Sequence, residues 1–132
     1  MADMSNRPSF IRWIPAGIMM ILIFVASSQP ASALPYFGAL DFVVKKGGHA
    51  IGYALLGLAY FYALPGRLPV VYKAALALLM AMLFSLSDEF HQSFVEGRTS
   101  TLRDVVIDTI GAGIALSIAS IYSSNSESSS SS

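Results

Sequence analysis

Four long apolar runs, over residues 10–27, 48–64, 70–92 and 104–122, constrain this chain more than any other feature. At ~1.5 Å per helical residue, a run such as Gly48 to Leu64 covers roughly 26 Å, close to the ~30 Å hydrocarbon core of a bilayer. A backbone in hydrocarbon must satisfy its own N–H and C=O groups, and α-helices do this within one segment. The fold class expected is therefore all-α, a four-transmembrane-helix integral membrane bundle. Composition agrees, since 55% apolar and only 12% charged residues lie outside the range of ordinary soluble domains. A formal net charge of zero without a basic cluster argues against nucleic acid as a partner and leaves membrane lipid as the surrounding medium. No cysteine is present, which excludes disulfides, thiolate metal sites and cysteine nucleophiles.

Three regions follow: a polar N-terminal segment 1–9, a membrane domain 10–122, and a serine-rich tail 123–132 expected to be disordered. Arg7 and Arg12, the apolar middle of the first run and Ala31-Ser32-Ala33 together resemble a cleaved secretory signal, but the length from Phe10 to Ala26 favours a retained helix. Pro30 and Pro35 interrupt the first connector, and Pro65-Gly66-Arg67-Leu68-Pro69 is the second. With four spans, the first and third connectors share one membrane face. The basic residues divide four against four, with Arg7, Arg12, Arg67 and Lys73 on one side and Lys45, Lys46, Arg98 and Arg103 on the other. The second set is interleaved with acids and the first is not, so the amino terminus is assigned to the cytoplasm and the polar face to the outside.

That polar face begins with Ser85, Asp88, Glu89 and Gln92, whose i, i+3, i+4, i+7 spacing aligns them on one face of the third helix. Lys46, His49 and Tyr53 share a face of the second in the same way. Adjacent acids at a membrane boundary suit Asp88 or Glu89 to acid–base work, with His49 a further candidate, whereas an ion pair with Arg98 makes the same acids a clasp between helices. Thr101-Leu102-Arg103-Asp104 has the form of a capping box, which gives Asp104 a helix-starting role. Asp108 lies one turn deeper and requires a partner, Lys46 or Arg98. Gly48 and Gly52 form a Gly-x-x-x-Gly pair suited to close helix contact. Asp88 and His91 at i, i+3 make a weak metal pair, and no metal is assigned. With no phosphate loop, dinucleotide fingerprint or serine triad, no cofactor is assigned either.

Taken in order, Ser27-Ser28-Gln29, Lys46-Gly47-Gly48-His49 with Tyr53, Ser87-Asp88-Glu89 with Gln92, Gly97-Arg98, and Asp104-Val105 with Asp108 and Gly111-Ala112 resemble the motifs of the VanZ-like family of small bacterial membrane proteins. Lys45 stands where many members carry Asp, and Asp108 where many carry Asn. The founding member is associated with low-level teicoplanin resistance, so the resemblance implies a setting in the bacterial cytoplasmic membrane and cell envelope. The leading expectation is a binding site for an anionic or amide-bearing envelope component, such as a lipid-linked cell-wall precursor or a glycopeptide. Its residues are Lys46, His49, Asp88, Glu89, Gln92, Arg98, Asp104 and Asp108. The alternatives are an acid–base enzyme acting on a lipid-linked substrate and a structural partner of another membrane protein.

Overall fold

The structure, a computed structural model, describes residues 9–29, 38–97 and 101–130. The described residues are almost entirely helical: α1 (Ser9–Arg12), α2 (Ile14–Ser27), a single 3-10 turn at Gly38–Leu40, α3 (Asp41–Ala63), α4 (Val70–Gln92) and α5 (Leu102–Ser130). The short break at Trp13 separates α1 from α2, and Pro15 sits in the first turn of α2, where its missing N–H has no helical partner to lose.

Three of these segments, Ser9–Ser27, Val70–Gln92 and Leu102–Asn125, are long and apolar enough to cross a membrane. The expected second span is the exception. At 23 residues α3 equals α4 in length, but Asp41, Lys45, Lys46 and His49 in its first part dilute its apolar character. It is also the most enclosed helix, packed against α2, α4 and α5. Its polar side chains therefore meet protein, which lets a less apolar helix sit among three more apolar ones.

Two helix bounds differ from the sequence expectation. α3 starts at Asp41 rather than at 48, because Asp41 occupies the first turn, where a carboxylate opposes the helix dipole, and pairs with Lys45 one turn on at 3.0 Å. α5 runs to Ser130 rather than ending at 122. An established helix gains one hydrogen bond for each residue added, so a serine-rich stretch can continue it. The α3 end is set by Leu64, whose extended ψ of 149° is what a residue preceding proline adopts.

The core runs along the meeting line of α3, α4 and α5 and includes Tyr53, Leu56, Tyr60, Ala77, Ala81, Ala112 and Leu116. Its closest approach lies between α3 and α5. A Cβ on Gly111 would fall 2.5 Å from the Ala50 carbonyl oxygen, and one on Gly57 would fall 3.3 Å from the Ala112 methyl. Close contact at Gly48 and Gly52 is not found. A Cβ at Gly48 meets nothing within 4 Å, and one at Gly52 only touches Ile23 at 3.8 Å. Those two glycines face α2 across a gap, while Gly111 and Gly57 lie on the seam where backbones nearly touch.

Candidate functional site

At the end of the bundle where α2 and α4 finish and α3 and α5 begin, polar side chains from all four helices are buried together. Ser27, Ser85, Asp88, Glu89, Gln92, Asp104 and Asp108 are each no more than 6% exposed. Ser85, Asp88, Glu89 and Gln92 all lie inward on α4, as their helical spacing predicts. Exposed Leu86 and Phe90 turn outward between them.

The cluster consists of two networks. In the first, the Ser27 hydroxyl donates to Asp88 Oδ2 at 2.7 Å, and Gln92 Nε2 donates to Ser27 Oγ at 3.0 Å and to the same carboxylate oxygen at 3.2 Å. This ring ties the last turn of α2 to the last turns of α4. A neighbouring contact repeats the tie: Ser28 Oγ donates to the Phe24 carbonyl at 2.7 Å and lies 2.9 Å from His91 Nε2. With its one proton used, that hydroxyl accepts, so Nε2 carries the hydrogen of this histidine. The imidazole stacks on Phe24 with centroids 4.4 Å apart. Asp88 and His91 thus serve separate contacts, and among the described residues no three histidine, aspartate or glutamate side chains are arranged to hold a metal ion.

The second network joins α3, α4 and α5. Ser85 donates to Asp108 Oδ2 at 2.9 Å, and His49 Nδ1 lies 3.9 Å from Asp108 Oδ1, a charge contact longer than a hydrogen bond. Lys46 forms an ion pair with Asp104, whose second oxygen accepts from the Thr101 hydroxyl at 3.3 Å. Asp104 therefore does more than begin α5: it holds the one lysine that reaches inward from α3. Of the two partners expected for Asp108, Lys46 is engaged one turn earlier on α5 and Arg98 lies outside the described residues; the contacts seen are Ser85 and His49. The proposed clasp of Arg98 onto Asp88 or Glu89 lies outside the described residues with it.

Tyr53 stands between the networks. Its ring is 1% exposed and packs against Phe84 with centroids 6.1 Å apart, and its hydroxyl lies among Asp88, Asp108 and Ser85. Among the described residues no partner meets hydrogen-bond geometry for that hydroxyl or for Asp88 Oδ1, although the two groups lie near each other. Tyr53 and Ser27 are the members of this site that the sequence marked least. Each carried a signal, Tyr53 one turn beyond His49 on the same face and Ser27 as the first polar residue to end an apolar run.

Four acids, Asp88, Glu89, Asp104 and Asp108, buried together are a costly arrangement in a bundle of apolar helices. Chemically it can exchange hydrogen bonds with a polar group, move a proton among carboxylates and Tyr53, or lock four helix ends together. No curated protein and no solved structure matches the chain. A family model described as VanZ/LLP1 matches it over residues 10–123, from the start of the first span to the end of the fourth apolar run. With its Lys46, His49, Asp88, Glu89, Gln92, Asp104 and Asp108 meeting at one end of a membrane-type helix bundle, the chain belongs to the VanZ-like family.

Proposed function

We propose that this protein is a multi-pass protein of the bacterial cytoplasmic membrane that binds the polar part of an envelope component, a lipid-linked cell-wall precursor or a glycopeptide, at the acid-rich end of its bundle. That end faces outside and the amino terminus lies in the cytoplasm. One observation supports the reading: at the meeting point of four helices the Tyr53 hydroxyl and Asp88 lie close together, and among the described residues neither that hydroxyl nor Asp88 Oδ1 has a hydrogen-bond partner of good geometry. A purely structural cluster has reason to satisfy every such group, because each unsatisfied one costs about 1–3 kcal/mol. Asp88 is served by the neutral donors Ser27 and Gln92, so an amide or hydroxyl donor of a ligand suits its remaining oxygen. Lys46 is occupied by Asp104 and serves as part of the frame.

The test combines cellular sensitivity to a membrane-anchored glycopeptide with the abundance of each variant. Asp88→Asn and Glu89→Gln keep polarity and size, so sensitivity should rise several-fold at unchanged abundance. If overexpression of the wild-type protein leaves sensitivity unchanged and both variants are silent at normal abundance, the reading fails. Orientation is tested with single cysteines at Ser93 and Gly66, against no native cysteine background. Only the first should react with an impermeant thiol reagent in intact cells.

A second reading, acid–base catalysis on a lipid-linked substrate, has one observation in its favour. His49 lies against an acid, with its Nδ1 3.9 Å from Asp108 Oδ1. Turnover of envelope lipids by purified protein, abolished in His49→Gln and Asp108→Asn, would move the conclusion to this reading. For the structural-partner alternative, Gly57 and Gly111 are used within the bundle, whereas Gly48 and Gly52 leave an open helix face.

A further inference from the structure

A cleft of about 340 Å³ lies between α2 and α3. Met19 and Ile23 form part of its apolar wall on α2, Gly48 and Gly52 leave space on α3, and Lys45, His49 and Tyr53 supply its polar groups. These features are graded with depth. Lys45 is near the start of α3, at the level of the buried acids, whereas Gly52 lies about 10 Å further into the bundle and faces Ile23. A cation at the membrane boundary above an apolar slot is the polarity profile of a lipid held in its normal orientation.

We propose that this cleft seats the hydrocarbon chain of a single-chain lipid phosphate, with the phosphate at Lys45 and His49. This deepens the reading above, on which it rests, by assigning the anchor of the envelope component to a cleft that adjoins the acid cluster and shares His49 and Tyr53 with it. Three observations support it. The volume falls at the low end of the roughly 300–1,000 Å³ typical of ligand sites, which suits one chain and not two. Lys45 is committed only to Asp41, one turn away on the same helix, with both side chains partly exposed, and an exposed pair of that kind restrains a lysine weakly. Tyr53 belongs to both places, its ring lining the cleft and its hydroxyl lying among the acids, so a chain in the cleft has its head beside the polar cluster.

The experiment uses the purified full chain in detergent and three photoreactive probes that share one diazirine-bearing alkyl chain and end in phosphate, trimethylammonium or maltoside. The phosphate probe should label peptides spanning 19–26 and 44–53 about tenfold more than the ammonium probe, the discrimination of one charge-assisted contact. Lys45→Gln with His49→Gln should bring that ratio close to one. Gly52→Leu should remove cleft labelling by all three probes. Gly48→Leu should do the same, and it guards against misfolding because a Cβ there meets nothing within 4 Å; thermal melting of both variants should match the wild type. Equal labelling by all three probes, labelling mainly outside the two peptides, or equal competition by diacyl phosphatidylglycerol would each overturn the proposal. Cleft labelling that survives while Asp88→Asn and Glu89→Gln are silent in cells would instead overturn the envelope-binding reading and leave the lipid seat standing.

Discussion

The two ends of the bundle handle charge in opposite ways. At one end the Arg12 guanidinium makes three hydrogen bonds of 2.7–3.2 Å to the carbonyls of Tyr62 and Leu64, closing the C-terminus of α3. Lys73 lies 4.5 Å from the centroid of the Phe61 ring. Helix-end carbonyls and aromatic faces are neutral groups that favour positive charge. The other end collects carboxylates from α4 and α5 and answers them with serine hydroxyls, a glutamine amide, Lys46 and His49. At the first end the Arg12 contacts close a helix. At the second, among the described residues, the Tyr53 hydroxyl and Asp88 Oδ1 are buried without a partner of good geometry, and that difference separates a structural cap from a candidate site.

The largest effect expected is at the polar end. Lys46→Met leaves Asp104, 4% exposed, without its cation, and breaking a buried pair from one side costs roughly 3–5 kcal/mol. Because Lys46 retains partial exposure, the loss should fall at or below the lower bound, read as a lowered melting temperature in detergent. Adding Asp104→Leu should restore much of it. Strict additivity of the two changes would mean that the pair contributes no coupling.

Next is Gly111→Leu, which forces α3 and α5 apart beside the acids. Overpacking of this kind costs roughly 1–3 kcal/mol. If the variant melts like the wild type, the backbone approach at Ala50 is not tight. Ser27→Ala should cost about 1.5–3 kcal/mol at most, through loss of a hydrogen bond to a charged acceptor, while Ser28→Ala, at the exposed side of the same turn, should cost less; a reversed order would break the assignment of Ser27 to the cluster.

At the opposite end, Arg12→Met should cost about 1 kcal/mol, since the freed carbonyls lie at a helix end that water can reach. A loss as large as that of Lys46→Met would erase the contrast between the two ends. The smallest effect is reserved for Lys45→Gln, about 0–1 kcal/mol in stability, because its partner Asp41 shares an exposed i, i+4 pair.

How much of this was legible beforehand depends on the range of the contact. The inward stripe of Ser85, Asp88, Glu89 and Gln92 needed only helical periodicity, and all four are buried. The apolar runs likewise needed only length. Partnerships were not legible, because Ser27 and Asp88 are 61 residues apart, and Ser85 and Asp108 meet only after α4 and α5 have packed. The expectation paired acids with cations, as opposite charges suggest. Among the described residues serine and glutamine serve Asp88, and neutral donors cost less to bury than a second charge. The start of α3 escaped for a related reason: Asp41, Lys45 and Lys46 read as connector by composition, yet their i, i+4 spacing stabilises the helix they begin.

The fastenings of α2 have a mechanical consequence. Arg12, just ahead of it, grips the far end of α3, and Ser27 and Ser28 grip α4 through Asp88, Gln92 and His91. Between those anchors the helix presents mostly exposed apolar side chains, Ile18, Ile21, Leu22 and Val25 among them. A rod pinned at both ends and held between them mainly by Ala16 and Ile23 bows before it detaches. Anything wedged between α2 and α3 therefore strains the Ser27–Asp88 pin, and anything that loosens the pin lets the wall give way, so the bundle carries a mechanical link between its greasy flank and its acidic tip.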